Sequence, residues 1–296
     1  MTDPAAGTAA STRLPGCVGV VGGGRMGSGI AHAFLVRGSS VTLVEADGDR
    51  VGAARSSVMR AIEQSVRRGA VDEPTNAIAA RLTIRTDIAA LAGAALTVEA
   101  VPEIPELKHQ VLQAISEAVD PTALIASNTS SLSISDLARH VEAPGRFLGM
   151  HFFNPVPASQ LVEVVVGTST AGGSAEAARQ IVTGLGKVAI TVADSPGFAS
   201  SRLGVLLGLE AIRMVEQNVA SAQDIDAAMT LGYQHPIGPL RLTDLVGLDV
   251  RLDIADYLAR TLGDRFAAPQ LLRDMVARGE LGRKTGRGFY DWPDGR

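Results

Sequence analysis

The sequence predicts an α/β chain: a Rossmann-type, mostly parallel sheet domain followed by an all-α C-terminal domain. Three observations predict it. From Val18 to Val192, short Val/Ile/Leu runs alternate with segments of helical period, the pattern of a parallel sheet with crossover helices. The first of these runs leads directly into G-x-G-x-x-G and then a helix, the opening of a dinucleotide-binding βαβ unit. After Asp194-Ser195-Pro196-Gly197 no further strand is convincing, and the remaining segments read as helices.

The elements follow in order. Residues 1–15 are rich in Ala, Thr and Ser without an apolar core, so they read as a flexible leader rather than a signal peptide. Strands are expected at Val18–Val21, Val41–Val44, Leu82–Ile84, Leu96–Glu99, Leu124–Ala126, Phe147–Met150, Leu161–Val166 and Val188–Val192, forming one large sheet. Leu107, Val111, Leu112 and Ile115 recur at helical spacing behind Pro105 and Glu106, which suit a first turn. Ser174 followed by Glu176 reads as the start of a helix stopping near Gly186. Phe198–Val215 is apolar almost all round, so it is expected to be a buried helix. Ser221 with Asp224 forms a capping signature, and Leu252–Leu262 and Pro269–Ala277 are further helical stretches. The predicted organisation is therefore a leader over 1–15, a nucleotide-binding domain over 16–194 and a helical substrate and dimerisation domain over 195–296.

With 296 residues, 46% hydrophobic and 20% charged, the chain has globular composition and length for about two domains. A formal net charge of −4 argues against general nucleic-acid binding. The single cysteine, Cys17, excludes an intrachain disulfide and sits in an apolar run as a core thiol. No apolar stretch approaches the ~20 residues of a spanning helix, so a soluble, cytoplasmic protein with no membrane partner is expected.

In the glycine loop, Gly22 permits the tight turn, Gly24 lets a pyrophosphate approach the backbone, and Gly27 lets helix and strand pack closely. Arg25 and Met26 lie in the same loop, where the helix N-terminus offers N–H groups to phosphate. The second strand ends in Glu45, a carboxylate suited to both ribose hydroxyls and repellent to a 2′-phosphate, which favours NAD over NADP. Asp47 and Asp49 stand nearby as alternatives, and each of the three carboxylates also reads as a loop charge.

Two further segments carry candidate chemistry. Leu124–Ala126 gives way to Ser127-Asn128-Thr129-Ser130-Ser131 at the strand's carboxyl end, where open α/β sheets place ligands; a plain turn capping the next helix is the competing reading. His151 leaves an apolar strand into a loop bounded by Pro155 and Pro157, a setting that His32, His109, His140 and His235 lack. The next strand carries one carboxylate, Glu163, inside an apolar run, where an unpaired charge would be costly. Pairing Glu163 with His151 resolves both oddities: the carboxylate sets the tautomer and stabilises the imidazolium, leaving the other ring nitrogen to exchange a proton with a hydroxyl. The competing reading is a core histidine and a carboxylate bonded to backbone amides. No metal-ligand spacing is present.

Taken together, GGGRMGSGIA from Gly22, VEAVPEIPELK from Val98, ASNTSSLSI from Ala126, GMHFFNPVP from Gly149, LVEVV from Leu161, DSPGF from Asp194, IGPLRLTDLVGLD from Ile237 and GRKTGRGFY from Gly282 resemble the L-3-hydroxyacyl-CoA dehydrogenase family, which includes the 3-hydroxybutyryl-CoA dehydrogenases. The resemblance runs from Val18 to Trp292. It implies NAD-linked oxidation of a (3S)-3-hydroxyacyl-CoA to the 3-oxoacyl-CoA, or the reverse reduction, by a homodimer. It further implies that His151 is the catalytic base, Glu163 its orienting acid and Ser130 the residue bonding the reacting oxygen. Glu103, Lys108 and Asn128 take cofactor-side positions by the same resemblance. For Glu103 and Lys108 an interdomain salt bridge and a solvated helix charge are the competing readings. Arg60, Arg67 and Arg68 are candidate partners for CoA phosphates, or simply a charged helix face.

One position departs from the pattern. The family usually has asparagine three residues beyond the Pro-Gly-Phe phenylalanine, where this chain has Ser201, beside a retained Arg202. If that position touches substrate, the exchange removes an amide worth on the order of 1 to 3 kcal/mol. Two other readings stay open: a dehydrogenase of a free hydroxy acid, like the gulonate dehydrogenase and crystallin relatives, and a non-catalytic NAD-binding protein.

Overall fold

The computed structural model describes residues 14–293. Residues 1–13 of the expected leader lie outside that range, but its last two residues do not float: Leu14 packs against the sheet core and the Pro15 carbonyl accepts a hydrogen bond from Ser39 Oγ. The chain divides into two compact units between Asp194 and Ser195.

The first unit is built on an eight-stranded sheet: β1 (Cys17–Val21), β2 (Ser40–Val44), β3 (Leu82–Arg85), β4 (Leu96–Glu99), β5 (Leu124–Ser127), β6 (Phe147–Phe152), β7 (Leu161–Val166) and β8 (Val188–Ala193). Their order is β3-β2-β1-β4-β5-β6-β7-β8. All neighbours are parallel except β6 and β7, which run antiparallel. Every predicted strand is present, several a residue or two longer than its apolar run, because ladder hydrogen bonds continue past the last apolar side chain. The central strands are Val- and Leu-rich and buried on both faces, as a covered parallel sheet requires.

Helices α1 (Arg25–Leu35), α2 (Gly48–Arg67), α3 (Thr75–Ala79), α4 (Pro105–Ala118), α5 (Ile134–Leu137) and α6 (Gly172–Gly184) complete this unit. Pro105 opens α4, where its missing N–H costs nothing. Helix α6 corrects the capping expectation: it begins at Gly172 behind Ala171, and Ser174 instead donates to the Gly145 carbonyl. A tertiary hydrogen bond has taken the hydroxyl that would have capped the helix.

The second unit contains α7 (Ser200–Glu216), α8 (Ala222–Ala227), α9 (Pro239–Val246), α10 (Leu248–Leu262) and α11 (Gln270–Ala277) around a core that includes Leu209, Ile212, Leu240, Leu258 and Leu272. Ser221 caps α8, accepting from the Asp224 N–H. Helix α7 is not buried all round. Val205, Gly208, Leu209, Ala211 and Ile212 are covered, while Leu203 is 69% exposed, because α9, α10 and α11 pack on one side of it. No described helix is long and apolar enough to cross a membrane.

Candidate active site

The parallel register aligns Val21, Glu99, Ser127 and Gly149 across β1, β4, β5 and β6. The residues just beyond them in each strand therefore gather at one carboxyl edge of the sheet. The strand order turns back between β1 and β4, the switch point at which such sheets hold ligands.

The glycine loop occupies that point. Gly22 has φ of 94°, and a Cβ on Gly27 would come within 1.7 Å of the Gly22 carbonyl oxygen, so a larger residue there would separate helix from strand. In front of Gly24 there is open space: a Cβ there would meet nothing within 4 Å. Arg25 and Met26 head α1, whose first turn carries no acidic residue and no side-chain cap. That leaves the helix N–H groups and their partial positive charge available to an anion. Glu45, at the end of β2, is buried and accepts from the Gly23 N–H through Oε1 at 2.8 Å. Asp47, in contrast, caps α2 by accepting from Arg50 N–H, and Asp49 lies in that helix's first turn. Of the three carboxylates, only Glu45 is tied to the glycine loop. An open anion cradle with a carboxylate beside it fits the pyrophosphate and ribose of NAD.

Beside it, β4 ends in Glu99, a residue that sequence reasoning missed. It is wholly buried and accepts from the Val101 N–H at 2.7 Å, from Lys108 Nζ at 2.7 Å and from Ser127 Oγ at 2.6 Å. Standing at the last position of its strand, before a loop, it reads in the sequence as an ordinary surface carboxylate. Lys108 on α4 is fully buried, so the reading as a solvated helix charge is overturned. Its ammonium also donates to the Val101 carbonyl and lies 3.3 Å from Glu103 Oε2. These contacts all lie within the first unit. Glu103 Oε1 collects Thr129 Oγ1 at 2.5 Å and the N–H groups of Ser130 at 3.0 Å and Ser131 at 3.2 Å. Burial alone would raise the Glu103 carboxyl, but the charge of Lys108 and the hydrogen bonds from Thr129, Ser130 and Lys108 outweigh it, holding the group below the usual glutamate range. The hydroxyl run is thus a cap on Glu103, with Ser130 Oγ itself 3.4 Å from Oε1. Asn128 spends its side-chain carbonyl on the Phe152 N–H, which ties the end of β5 to the end of β6.

His151 on β6 stands directly opposite Glu163 on β7 in the antiparallel ladder. Opposed residues put their side chains on the same face, and His151 Nδ1 lies 2.7 Å from Glu163 Oε2. Both residues are buried, Glu163 completely. When Glu163 is ionised it can only accept, which makes Nδ1 the donor of this bond. The His151 ring also leans on Phe153, with centroids 4.4 Å apart. The loop that follows contains a cis Asn154–Pro155 bond and is held by Lys187 Nζ, which donates to the carbonyls of Val156 and Ser159. His32 has a different environment: buried between α1 and α2 with Nε2 2.9 Å from Ser65 Oγ, it is pushed by burial down to about 4, which marks a neutral structural imidazole.

Not every candidate is gathered here. Arg60 and Arg67 are exposed on α2, and Arg68 follows at its C-cap; Arg60 reaches only Ser57 Oγ within its own helix. Ser201 and Arg202 open α7 in the second unit, where Arg202 Nη1 donates to Ser195 Oγ at 3.3 Å. Asp194, a second residue missed in the sequence, accepts from Ser133 Oγ and from the N–H groups of Ile134 and Ser135, pinning the start of α5 behind the hydroxyl loop. Among the described residues no cluster of three or more His, Cys, Asp or Glu could hold a metal ion.

Residues 17–195 match the family model for the 3-hydroxyacyl-CoA dehydrogenase NAD binding domain, and residues 197–292 match that for the C-terminal domain. The chain is 41% identical over 279 residues to the 3-hydroxybutyryl-CoA dehydrogenase of Mycobacterium tuberculosis, covering 93% of this chain and 98% of that one. It is 37% identical over 275 residues to a probable 3-hydroxybutyryl-CoA dehydrogenase of Deinococcus radiodurans, covering 93% and 99%. The crystal structure of (S)-3-hydroxybutyryl-CoA dehydrogenase from Ralstonia eutropha superposes with a TM-score of 0.89 at 39% identity, over 94% of this chain and 99% of that one.

Proposed function

Because the chain belongs to the 3-hydroxyacyl-CoA dehydrogenase family, we propose that it oxidises a (3S)-3-hydroxyacyl-CoA to the 3-oxoacyl-CoA, or runs the reverse reduction, with His151 as general base and acid. The activity class is an NAD-dependent hydroxyacyl-CoA dehydrogenase. The observation that carries the assignment of roles is the 2.7 Å contact between His151 Nδ1 and Glu163 Oε2 inside a buried sheet.

NAD, when bound, supplies the hydride acceptor for C3 of the substrate, its pyrophosphate held by Gly22, Gly24, Arg25, Met26 and Gly27 and its ribose by Glu45. His151 Nε2 takes the proton of the 3-hydroxyl as the C3–H bond breaks and the C=O forms. Glu163 then faces an imidazolium, and the charge that His151 gains is neutralised at hydrogen-bond distance by a wholly buried carboxylate. In the reductive direction the imidazolium returns the same proton. Ser130 donates to the reacting oxygen, a role supported by its place on the loop that Glu103 organises. Ser201 takes the substrate-side position of the family asparagine. Arg60, Arg67 and Arg68 supply charge for the CoA phosphates.

The chain acts as a homodimer through its helical unit in this reading, supported by Leu203 and Leu206, which stand exposed on α7; light scattering on the purified protein gives the mass that checks it. The deciding experiment for the reaction follows NADH absorbance with acetoacetyl-CoA and with free acetoacetate, for wild type and His151→Ala. Turnover of the thioester alone, reduced roughly 10²- to 10⁴-fold in the variant, is the expected result. Turnover of the free acid instead would make the protein a hydroxy-acid dehydrogenase. NADH binding without turnover of any substrate in a panel of hydroxy acids and thioesters would make it a non-catalytic binder.

A further inference from the structure

We propose that Glu99 is a positioning residue for this reaction: by holding Lys108 it fixes Glu103 and, through Glu103, the loop that carries Ser130. The proposal rests on the acyl-CoA dehydrogenase reading for what the loop does.

The geometry points to a chain of fixed contacts rather than separate ones. Lys108 Nζ donates to Glu99 Oε1 and to the Val101 carbonyl and forms an ion pair with Glu103 Oε2 at 3.3 Å. The residue is fully buried. A buried lysine needs a carboxylate partner, and the wholly buried Glu99, 2.7 Å from Nζ, supplies it. Glu99 is itself held at both oxygens, by the Val101 N–H on Oε1 and Ser127 Oγ on Oε2, between the ends of β4 and β5.

Glu103 differs from Glu99 in being partly open, its side chain 36% exposed. It lies on the link after β4, without a strand to hold it. Lys108 on one oxygen and the Thr129, Ser130 and Ser131 donors on the other define its position. A carboxylate in the ionised form accepts from all of these donors at once, and a protonated or displaced one does not. Neutralising Glu99 therefore releases Lys108, which releases Glu103, which lets the Ser130 loop move relative to the sheet edge. Glu99 itself touches none of the reacting groups.

The test is a double-mutant cycle on the full-length protein with Glu99→Gln, Lys108→Met and the two combined, with Glu99→Asp as the conservative variant. Glu99→Gln is expected to lower kcat about tenfold or more while KM for acetoacetyl-CoA stays within about threefold, the split of a group acting on the transition state. Combined with Lys108→Met it should add no further loss, because the two act in series. Glu99→Asp should recover part of kcat. NADH affinity by titration calorimetry on the same proteins reads the network without turnover, and the same non-additivity is expected there. Additive losses in kcat and in NADH affinity, or both quantities unchanged in Glu99→Gln with only thermal stability lowered, would overturn the proposal and leave Glu99 as a strut between β4 and β5. If wild type binds NADH but does not turn over the thioester, the substrate reading fails while the NADH cycle still decides the role of Glu99. If Glu99→Gln alone does not fold, the combined variant, which buries no unpaired charge, is compared with Lys108→Met.

Discussion

The two units bury their carboxylates in different company. In the sheet unit Glu99 meets Lys108 and Glu163 meets His151, each a group that carries or can acquire positive charge. In the helical unit Asp226 accepts from the Leu240 and Arg241 N–H groups and from Tyr290 Oη, and Asp244 from the Phe289 and Tyr290 N–H groups and Trp292 Nε1. The first arrangement holds a charge that can change during a reaction. The second closes a loop, Gly282–Trp292, onto a helix, and its neutral donors have no proton to exchange at ordinary pH. A buried carboxylate is thus informative about chemistry only once its partner is known.

Glu163→Gln breaks the comparison from the catalytic side. It keeps the shape but removes the charge facing the imidazolium, and a fall in kcat of roughly 10³-fold, near 4 kcal/mol, is expected with little change in melting temperature. Steady-state kinetics and a thermal melt on the same sample check it. Asp244→Ala tests the other side: the buried Trp292 Nε1 and the half-buried Phe289 and Tyr290 N–H groups lose their acceptor, for a loss of about 3 kcal/mol in stability by denaturant titration. Turnover per folded molecule should stay within about twofold; a collapse of kcat at unchanged stability would show that the helical carboxylate also serves the chemistry. Ser221→Ala removes the cap of α8 and should cost about 1 kcal/mol in the same titration.

The smallest effect concerns the sign of pH dependence. The Glu103 carboxyl is held below its ordinary range, so its stabilisation is fully present above the unfolded value near ~4.3 and is lost as pH falls through the lowered folded value. Asp244 runs the other way. Burial first, with the charge of Asp226 adding to it, pushes it up in spite of its three hydrogen bonds, so its contribution is present below the unfolded value and lost as pH rises. Melting curves of wild type and Glu103→Gln should therefore converge on acidification, and curves that stay parallel would refute the assignment.

Much of the fold was legible because its signals are local. Val18–Gly27 announces a strand, a tight turn and a helix start within ten neighbouring positions, and Ser221 with Asp224 announces a cap within one turn. Ser174 carried the same kind of signal and failed, since Gly145, far away in the chain, competed for its hydroxyl. Helix α7 read as buried because composition reports how apolar a segment is and not how many sides have neighbours. His151 and Glu163 were legible as a pair because each was out of place in an apolar strand and the strands are adjacent in sequence.

Lys108 and Glu99 show where such reading stops. Periodicity placed Lys108 on a helix and the apolar run placed Glu99 at a strand end, but a lysine on an amphipathic helix and a carboxylate before a loop are both ordinary surface residues in a sequence. That they share one buried bond follows from how α4 settles against the ends of β4 and β5, joining contacts from Glu99, Ser127 and Glu103 that are separated along the chain. Local backbone preference and hydrophobic period are properties of neighbouring residues, so the sequence by itself determined the strands, the longer helices and the cofactor loop, while the short helices α3, α5 and α9 appeared only in the structure. Which charges lose their water, and which partner replaces it, depends on the distances between elements, and only the tertiary structure decided that.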